Sequence, residues 1–185
     1  MSDQPNLRTA RLLLRPFIAD DGPDVELLAG DQRVADTTLT IPHPYPSGAA
    51  SDWIATHRPG WDAGAGLTLA ITGLGSGDLL GAITLAIDPE NEQAELGYWI
   101  GVSSWNRGYC TEAGAAMLAV AFTSLNLHRV HSHHFTRNPA SGRVMQKLGM
   151  TFEGVQRSAV KKSGRFEDLA CYAILATEWE PASGS

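Results

Sequence analysis

Apolar and polar positions recur with two different periods along the chain, and the changes of period mark its elements. Arg11 to Phe17 (RLLLRPF) reads as a short strand that Pro16 sends toward an edge, and DDGPDVELLAG after it reads as a helix with acidic residues in its first turn. Three prolines at alternate positions in IPHPYPS, residues 41–47, demand an extended loop, and helical spacing returns from Ala49 to Trp61 with Trp53, Ile54 and His57. Leu67 to Thr72 and Leu79 to Ile87 are apolar, partly β-branched runs on either side of GLGSGD, which predicts a hairpin with a glycine-rich turn. A dinucleotide-type glycine loop does not fit there: the register from Gly73 meets Asp78 in its sixth place, and a strand follows where a helix is needed.

The second half repeats the alternation more sharply. Ala94 to Val102 (AELGYWIGV) reads as a strand with Leu96, Tyr98, Ile100 and Val102 on one face and Glu95, Gly97, Trp99 and Gly101 on the other. After SSWNRGYC, the run TEAGAAMLAVAFTSLNL sets Leu118, Ala121, Phe122 and Leu125 at helical spacing, with Thr111 and Glu112 at its start. Arg129 to Thr136 reads as a strand. Asn138, Pro139 and Gly149 then supply an N-cap, a first-turn proline and a C-terminal glycine around the helix ASGRVMQKL. The remainder reads as two antiparallel strands around the turn KKSGR, with an acidic tail after Trp179. The predicted order is βααβββαβαββ, seven strands and four helices in an α+β layered fold, without an internal repeat.

Length and composition narrow the class. A chain of 185 residues, 43% hydrophobic and 18% charged, is expected to form one globular domain over 1–185, with flexible ends at 1–8 and 181–185. The longest apolar run, about Ala115 to Phe122, is too short to span a bilayer, and the start MSDQPNLRTA lacks the apolar stretch of a secretory signal, so a soluble, cytoplasmic protein is expected. Cys110 and Cys171 have no ligand-type spacing, which points away from a disulfide framework and from zinc. Of the histidines clustered at 128–134, His131 and His133 share a strand face while His134 points away, and no metal site is expected.

Charge is segregated. Residues 1–106 sum to −9 and residues 166–185 to −4, whereas Arg107 to Arg165 sum to +7 within a total of −6. The acidic total argues against nucleic-acid and anionic-membrane partners. The basic middle suits either an anion site or pairing with the acidic flanks. Its most informative point is the junction Ser104 to Glu112, where Gly108 lets the chain turn sharply and the amides of Arg107 to Thr111 converge on a helix start. Arg107 adds a cation and Thr111 a hydroxyl, while the preceding strand can offer Ile100 and Val102 backbone groups to an amide-bearing ligand arm. The ligand suggested is a pyrophosphate with a peptide-like tail, although many strand-turn-helix junctions with a glycine bind nothing.

At these residues the chain resembles the GNAT N-acetyltransferases, in particular the branch that includes the ribosomal-protein alanine and serine N-acetyltransferases. The resemblance runs through TARLLLRPF, AELGYWIGVSSWNRGYCTEAGAAML, RNPASGRVMQKLGMTFEGV and FEDLACYAIL. It implies a mixed, mostly antiparallel sheet of about seven strands flanked by about four helices, splayed between the fourth and fifth strands. It also implies that acetyl-coenzyme A is the cosubstrate, with its pyrophosphate on the turn Arg107, Gly108, Tyr109, Cys110 and Thr111 and its arm along Ile100 and Val102 beside Asn138 and Ser141. Trp105 and Cys110 depart from the commonest family pattern; Trp105 is expected to change the surface more than the anion site, and Cys110 to be a small packing residue.

Direct transfer to an amine acceptor is implied. The family's usual tyrosine acid is missing from ASGRVMQKLGM, and Ser141 is the substitute for protonating the leaving thiolate, with helix capping as its alternative role. The branch's glutamate base aligns with Val160, leaving Glu95 as the candidate base and Asp168 as a second. An α-amine is roughly a third neutral at pH 7.5, whereas a lysine is about one part in a thousand neutral, so a missing base favours an α-amine, such as a protein N-terminus, reached over the acidic N-terminal half. His43, Tyr45, Trp53 and Trp61 are candidates to line the acceptor pocket, or equally to pack. Two other functions stay open: acetylation of a small amine such as a polyamine, an amino acid or an aminoglycoside, and acyl-coenzyme A sensing without catalysis. A homodimer, paired through sheet edges or the last strands, is a further implication of the resemblance.

Overall fold

The computed structural model describes residues 3–181. Eight strands form one sheet: β1 (Leu7–Arg8), β2 (Leu12–Arg15), β3 (Gly66–Gly73), β4 (Leu79–Asp88), β5 (Gln93–Ile100), β6 (Arg129–Phe135), β7 (Thr151–Lys162) and β8 (Arg165–Leu175). Their order across the sheet is β1-β2-β3-β4-β5-β6-β8-β7. Six helices accompany them: α1 (Gly22–Ala29), α2 (Gln32–Ala35), α3 (Ala49–Ala55), α4 (His57–Asp62), α5 (Tyr109–Ala119) and α6 (Pro139–Lys147). The seven predicted strands are all present. Strand β1 is the addition, where Leu7 and Arg8 pair with Leu14 and Leu13. Of the ends expected to be flexible, 1–8 and 181–185, residues 1–2 and 182–185 lie outside the described residues, whereas Leu7 and Arg8 are held by pairing in β1.

Alternation along the central strands sends side chains to two packed layers. Leu69, Ile71, Leu96 and Ile100 join a core with Ala113, Met117 and Leu118 of α5 and Met145 of α6. On the other face Ala70 and Leu79 pack with Val25 and Ala29 of α1 and Ala50 of α3, and Trp99 leans on that cluster.

The predicted single helix from Ala49 to Trp61 is two helices, broken at Thr56. Pro59 has no N–H and its ring crowds the carbonyl four residues earlier, so the first helix cannot run through it. The strand predicted to reach Val102 ends at Ile100. The Gly101 N–H donates to the Leu80 carbonyl, and Val102–Ser104 then closes a 3-10 turn, so Val102 does not continue the face of Leu96, Tyr98 and Ile100. The expected cap of α6 is present in backbone form: Asn138 is the N-cap without a side-chain hydrogen bond, and Gly149 beyond the C-terminus has φ +79°. Ser163 and Gly164 both have positive φ, the geometry that a tight β7–β8 hairpin requires.

One pairing controls the centre. Strands β5 and β6 run parallel and match only at Gln93–Arg129, Ala94–Val130 and Glu95–His131. The Ser132 hydroxyl donates to the Leu96 carbonyl (2.7 Å), and beyond that bond the strands part. The predicted splay between the fourth and fifth strands is therefore present, between β5 and β6.

Away from this gap, His57 on α4 is buried against Phe17 and Trp53, with ring centroids 5.3 and 4.3 Å away, and neither ring nitrogen has a hydrogen-bond partner. Burial pushes its pKa down to about 4. Above about pH 6.5 the ring is neutral folded and unfolded; between there and about 4 only the unfolded chain takes the proton. Stability is expected to fall across that window as pH drops, by up to about 3 kcal/mol. Urea titrations of wild type and His57→Phe between pH 7 and 4.5 check this, and the variant should show the shallower loss.

Candidate active site

The parting of β5 and β6 opens two cavities that meet between the strands. The larger, about 630 Å³, lies on the α1 and α3 side and is lined by residues 37–42, by Glu95 to Trp99 and by Ser132 to Phe135. The smaller, about 290 Å³, lies before the N-terminus of α5 and is lined by Trp105, Gly108 to Thr111, Asn138 and the first turns of α6. Tyr98, Trp99 and Ser141 belong to both walls.

The smaller cavity has the form of an anion cradle. Gly108 caps α5 with φ +79°, which leaves the first-turn amides without a side-chain cap and is a conformation that favours glycine. Glu112 anchors this turn: its carboxylate accepts from the Thr9 hydroxyl (2.6 Å), the Arg11 N–H (2.8 Å) and the Arg11 guanidinium (2.7 Å). Burial favours the neutral acid, but these hydrogen bonds outweigh it and hold the Glu112 carboxyl below its ordinary range. Arg11 also donates to the Arg107 carbonyl (3.0 Å).

Of the residues expected to hold the coenzyme, Ile100, Gly108, Tyr109, Cys110, Thr111, Asn138 and Ser141 line this cavity, while Arg107 and Val102 do not. Its cations are Arg143 and Lys147, four positions apart on α6. The only sequence signal for them was their place in the basic middle segment. Trp105 does more than alter the surface. Its indole donates to the Ile100 carbonyl (2.7 Å) and its N–H to the Val102 carbonyl (3.2 Å), bracing the end of β5. Burial pushes the Cys110 thiol up to about 12, which keeps it protonated and suits packing rather than nucleophilic chemistry.

Where the cavities meet, the Tyr98 hydroxyl donates to the Ser141 carbonyl (3.1 Å) and lies 2.9 Å from Ser141 Oγ. Burial raises the Tyr98 pKa, so the phenol stays protonated and fixes the serine. Sequence reasoning looked for a tyrosine on the helix and missed this one, which arrives from the strand opposite. Helix α6 approaches β6 closely enough that a Cβ on Gly142 would stand 2.6 Å from His134 Nε2.

On the larger cavity's wall, Glu95 Oε1 lies 3.4 Å from His133 Nδ1. Asp168 lines neither cavity; it accepts the Ser158 N–H (2.7 Å) within β7. Val160 pairs with Glu167, whose carboxylate is held by Arg137 (3.0 Å), so no substitute base arises there. Tyr45 and Trp53 line the larger cavity; His43 and Trp61 do not. Lys162, at the tip of the β7–β8 hairpin, donates to the Leu39 (3.2 Å) and Ile41 (2.5 Å) carbonyls and so fastens the loop that forms one wall. No group of three His, Cys, Asp or Glu side chains among the described residues is placed to hold a metal ion.

Replacing Glu112 by Ala should lower stability by about 1 kcal/mol near neutral pH, since it deletes hydrogen bonds to a charged, half-buried group whose partner Arg11 is screened by solvent. That contribution is present above the ordinary carboxylate range and lost as pH falls through the lowered folded value. Urea midpoints measure the loss, and faster amide exchange at Tyr109 to Thr111 should accompany it.

Comparison with known proteins fits this geometry. Residues 11–151 match the Acetyltransferase (GNAT) domain family. N-acetyltransferase p20 of Bacillus licheniformis is 34% identical over 93 residues, 50% of this chain and 52% of its own. The ribosomal-protein-serine acetyltransferase of Escherichia coli (strain K12) is 30% identical over 99 residues, 53% of this chain and 55% of its own. The chain thus spans about half the length of these curated relatives. A solved structure of RimL, a ribosomal L7/L12 alpha-N-protein acetyltransferase in complex with coenzyme A, superposes with a TM-score of 0.85 over 92% of this chain and 98% of that one at 18% identity, a likeness of fold. With the splayed strands, the cradle and a family match over most of its length, the chain belongs to the GNAT acetyltransferases.

Proposed function

We propose that the protein transfers an acetyl group from acetyl-coenzyme A to the α-amine of a peptide or protein N-terminus within a ternary complex. The observation that carries this reading is the junction of the two cavities at Tyr98 and Ser141. A donor seated in the cradle and an amine seated in the larger cavity would meet there, and alignment of an already activated thioester with a neutral amine supplies much of the rate. In this reading the α5 N-terminal amides, Arg143 and Lys147 hold the pyrophosphate, Asn138 flanks the arm, and Ser141, oriented by Tyr98, hydrogen-bonds the sulfur as the C–S bond breaks and thiolate develops.

The larger cavity supports a monoamine. Glu95 is the one acidic residue on its wall among the described residues; apart from His133 and His134 the rest is apolar, aromatic or hydroxyl-bearing. A polyamine or an aminoglycoside carries several ammonium groups, each costly to desolvate without its own partner, whereas a peptide terminus brings one. The N-terminal half lines this cavity, but Glu95 is its only acidic side chain there among the described residues, and Asp21 and Asp31 are committed to Arg15 and Arg33. The ribosomal-protein acetyltransferase names of the E. coli relative and of RimL favour a ribosomal-type acceptor, which would place the reaction in the cytoplasm. Pairing of two copies through the closing strands is supported by β7, a sheet edge with Phe152 and Val155 exposed.

Calorimetry with acetyl-coenzyme A, followed by thiol release over hexapeptides with free Ala, Ser or Met termini, an Nα-blocked lysine peptide, spermidine and kanamycin, tests the proposal. Micromolar binding and fastest turnover of a free-terminus peptide are expected. Binding without turnover of any amine points to a sensor, and faster turnover of lysine or spermidine defeats the α-amine assignment. Ser141→Ala should lower kcat about 10²-fold with little change in coenzyme binding, and Tyr98→Phe should lower it less.

A further inference from the structure

An acceptor that arrives as an ammonium must lose a proton before it can attack, and Glu95, the candidate base on the cavity wall, is as a lone carboxylate a poor acceptor for it. We propose that His133, backed by Glu95, is the general base of the transfer. The proposal rests on the acetyltransferase reading of the larger cavity and adds a catalytic residue to it.

The placement follows from the sheet. The last parallel pair between β5 and β6 is Glu95–His131, so His133 stands on the same face of β6 just where the strands separate. From there its ring reaches back to Glu95, Nδ1 to Oε1 at 3.4 Å, and both residues line the acceptor cavity. The imidazole side chain is 26% exposed, enough to meet a substrate and to pass a proton to water. A proton on Nδ1 directed at Glu95 leaves Nε2 as the accepting atom. The distance is longer than a hydrogen bond, as is common before substrate draws catalytic groups together. A carboxylate in contact with water is by itself a weak base toward an ammonium, whereas imidazole titrates in the range where α-amines do.

The other titratable groups nearby do not compete for the role. His131, two residues earlier on the same face, is held toward its neutral form chiefly by burial. Cys171, opposite His133 on β8, stays a thiol because burial raises it. Arg129 and Glu153 are paired with each other at 2.6 Å. Glu95 is thus the anion free to stabilise an imidazolium at this position.

The step balances. The ammonium gives one proton to His133 Nε2, the freed nitrogen pair forms the C–N bond, and the thioester carbonyl becomes a tetrahedral oxyanion. On collapse the C–S bond breaks, the nitrogen's second proton ends on the coenzyme sulfur by way of the Ser141 hydroxyl, and His133 returns its proton to solvent. The products are amide, free thiol and one released proton.

The test is kcat/KM against pH, from 5.5 to 9.5, for wild type, His133→Gln and Glu95→Gln, using an alanine-initiated hexapeptide, or the panel amine that wild type turns over fastest. Calorimetric binding of acetyl-coenzyme A confirms that each variant is folded. The expected result is a loss of about 10²-fold in His133→Gln near pH 7 that shrinks to a few-fold at pH 9.5, where the α-amine deprotonates unaided, with Glu95→Gln intermediate. A loss of equal size at every pH, or no loss, overturns the assignment while wild-type turnover leaves the transferase reading standing. Absence of wild-type turnover on every amine removes both.

Discussion

Parting of two parallel strands after three residue pairs is the constraint on which the rest of the molecule depends. A buried strand that stops pairing leaves backbone donors and acceptors without partners, a cost that a protein meets with side chains or reserves for a ligand. Here the chain meets part of it. The Ser132 hydroxyl takes the Leu96 carbonyl and the Trp105 indole takes that of Ile100, while Tyr98 reaches across to Ser141. The gap is thereby propped open at fixed width, and both cavities are consequences of it.

Rigidity on either side keeps the gap in place. Strand β4 lies so close to β5 that a Cβ on Gly81 would stand 2.1 Å from the Trp99 carbonyl, which locks β5 to the antiparallel half of the sheet. Strand β6 is held instead by β8 along its full length. The two halves are joined at the three-pair seam, by helices α5 and α6, and by the Lys162 contact from the last hairpin to the loop at 39–41. Strand β5 lines both cavities, β6 lines only the larger, and α6 completes the wall of the smaller.

Much of the fold was legible because its signals are local. The period-two runs of β3 to β6, the Asn138, Pro139 and Gly149 punctuation of α6 and the hairpin turn at Ser163 and Gly164 each depend on neighbours in sequence. The departures were local too, once the competing effect is named: Pro59 divides one predicted helix, and the Gly101 to Leu80 bond ends β5 before Val102. The turn before α5 was likewise readable, since Gly108 and the helix start that follows it lie within a few residues of each other.

The chemistry at the centre was less legible. By itself the sequence determined the strands, the helices and the Gly108 turn before α5, because steric and hydrogen-bond preferences act over a few residues. Only the tertiary structure decided which side chains meet. Tyr98 and Ser141 are 43 positions apart, and Lys162 reaches a carbonyl 121 positions away. Arg143 and Lys147, and not Arg107, line the smaller cavity, and His133 comes to Glu95 because the register of one short parallel seam places it there. Register and strand order come from burial of whole faces against one another, and no local pattern encodes them.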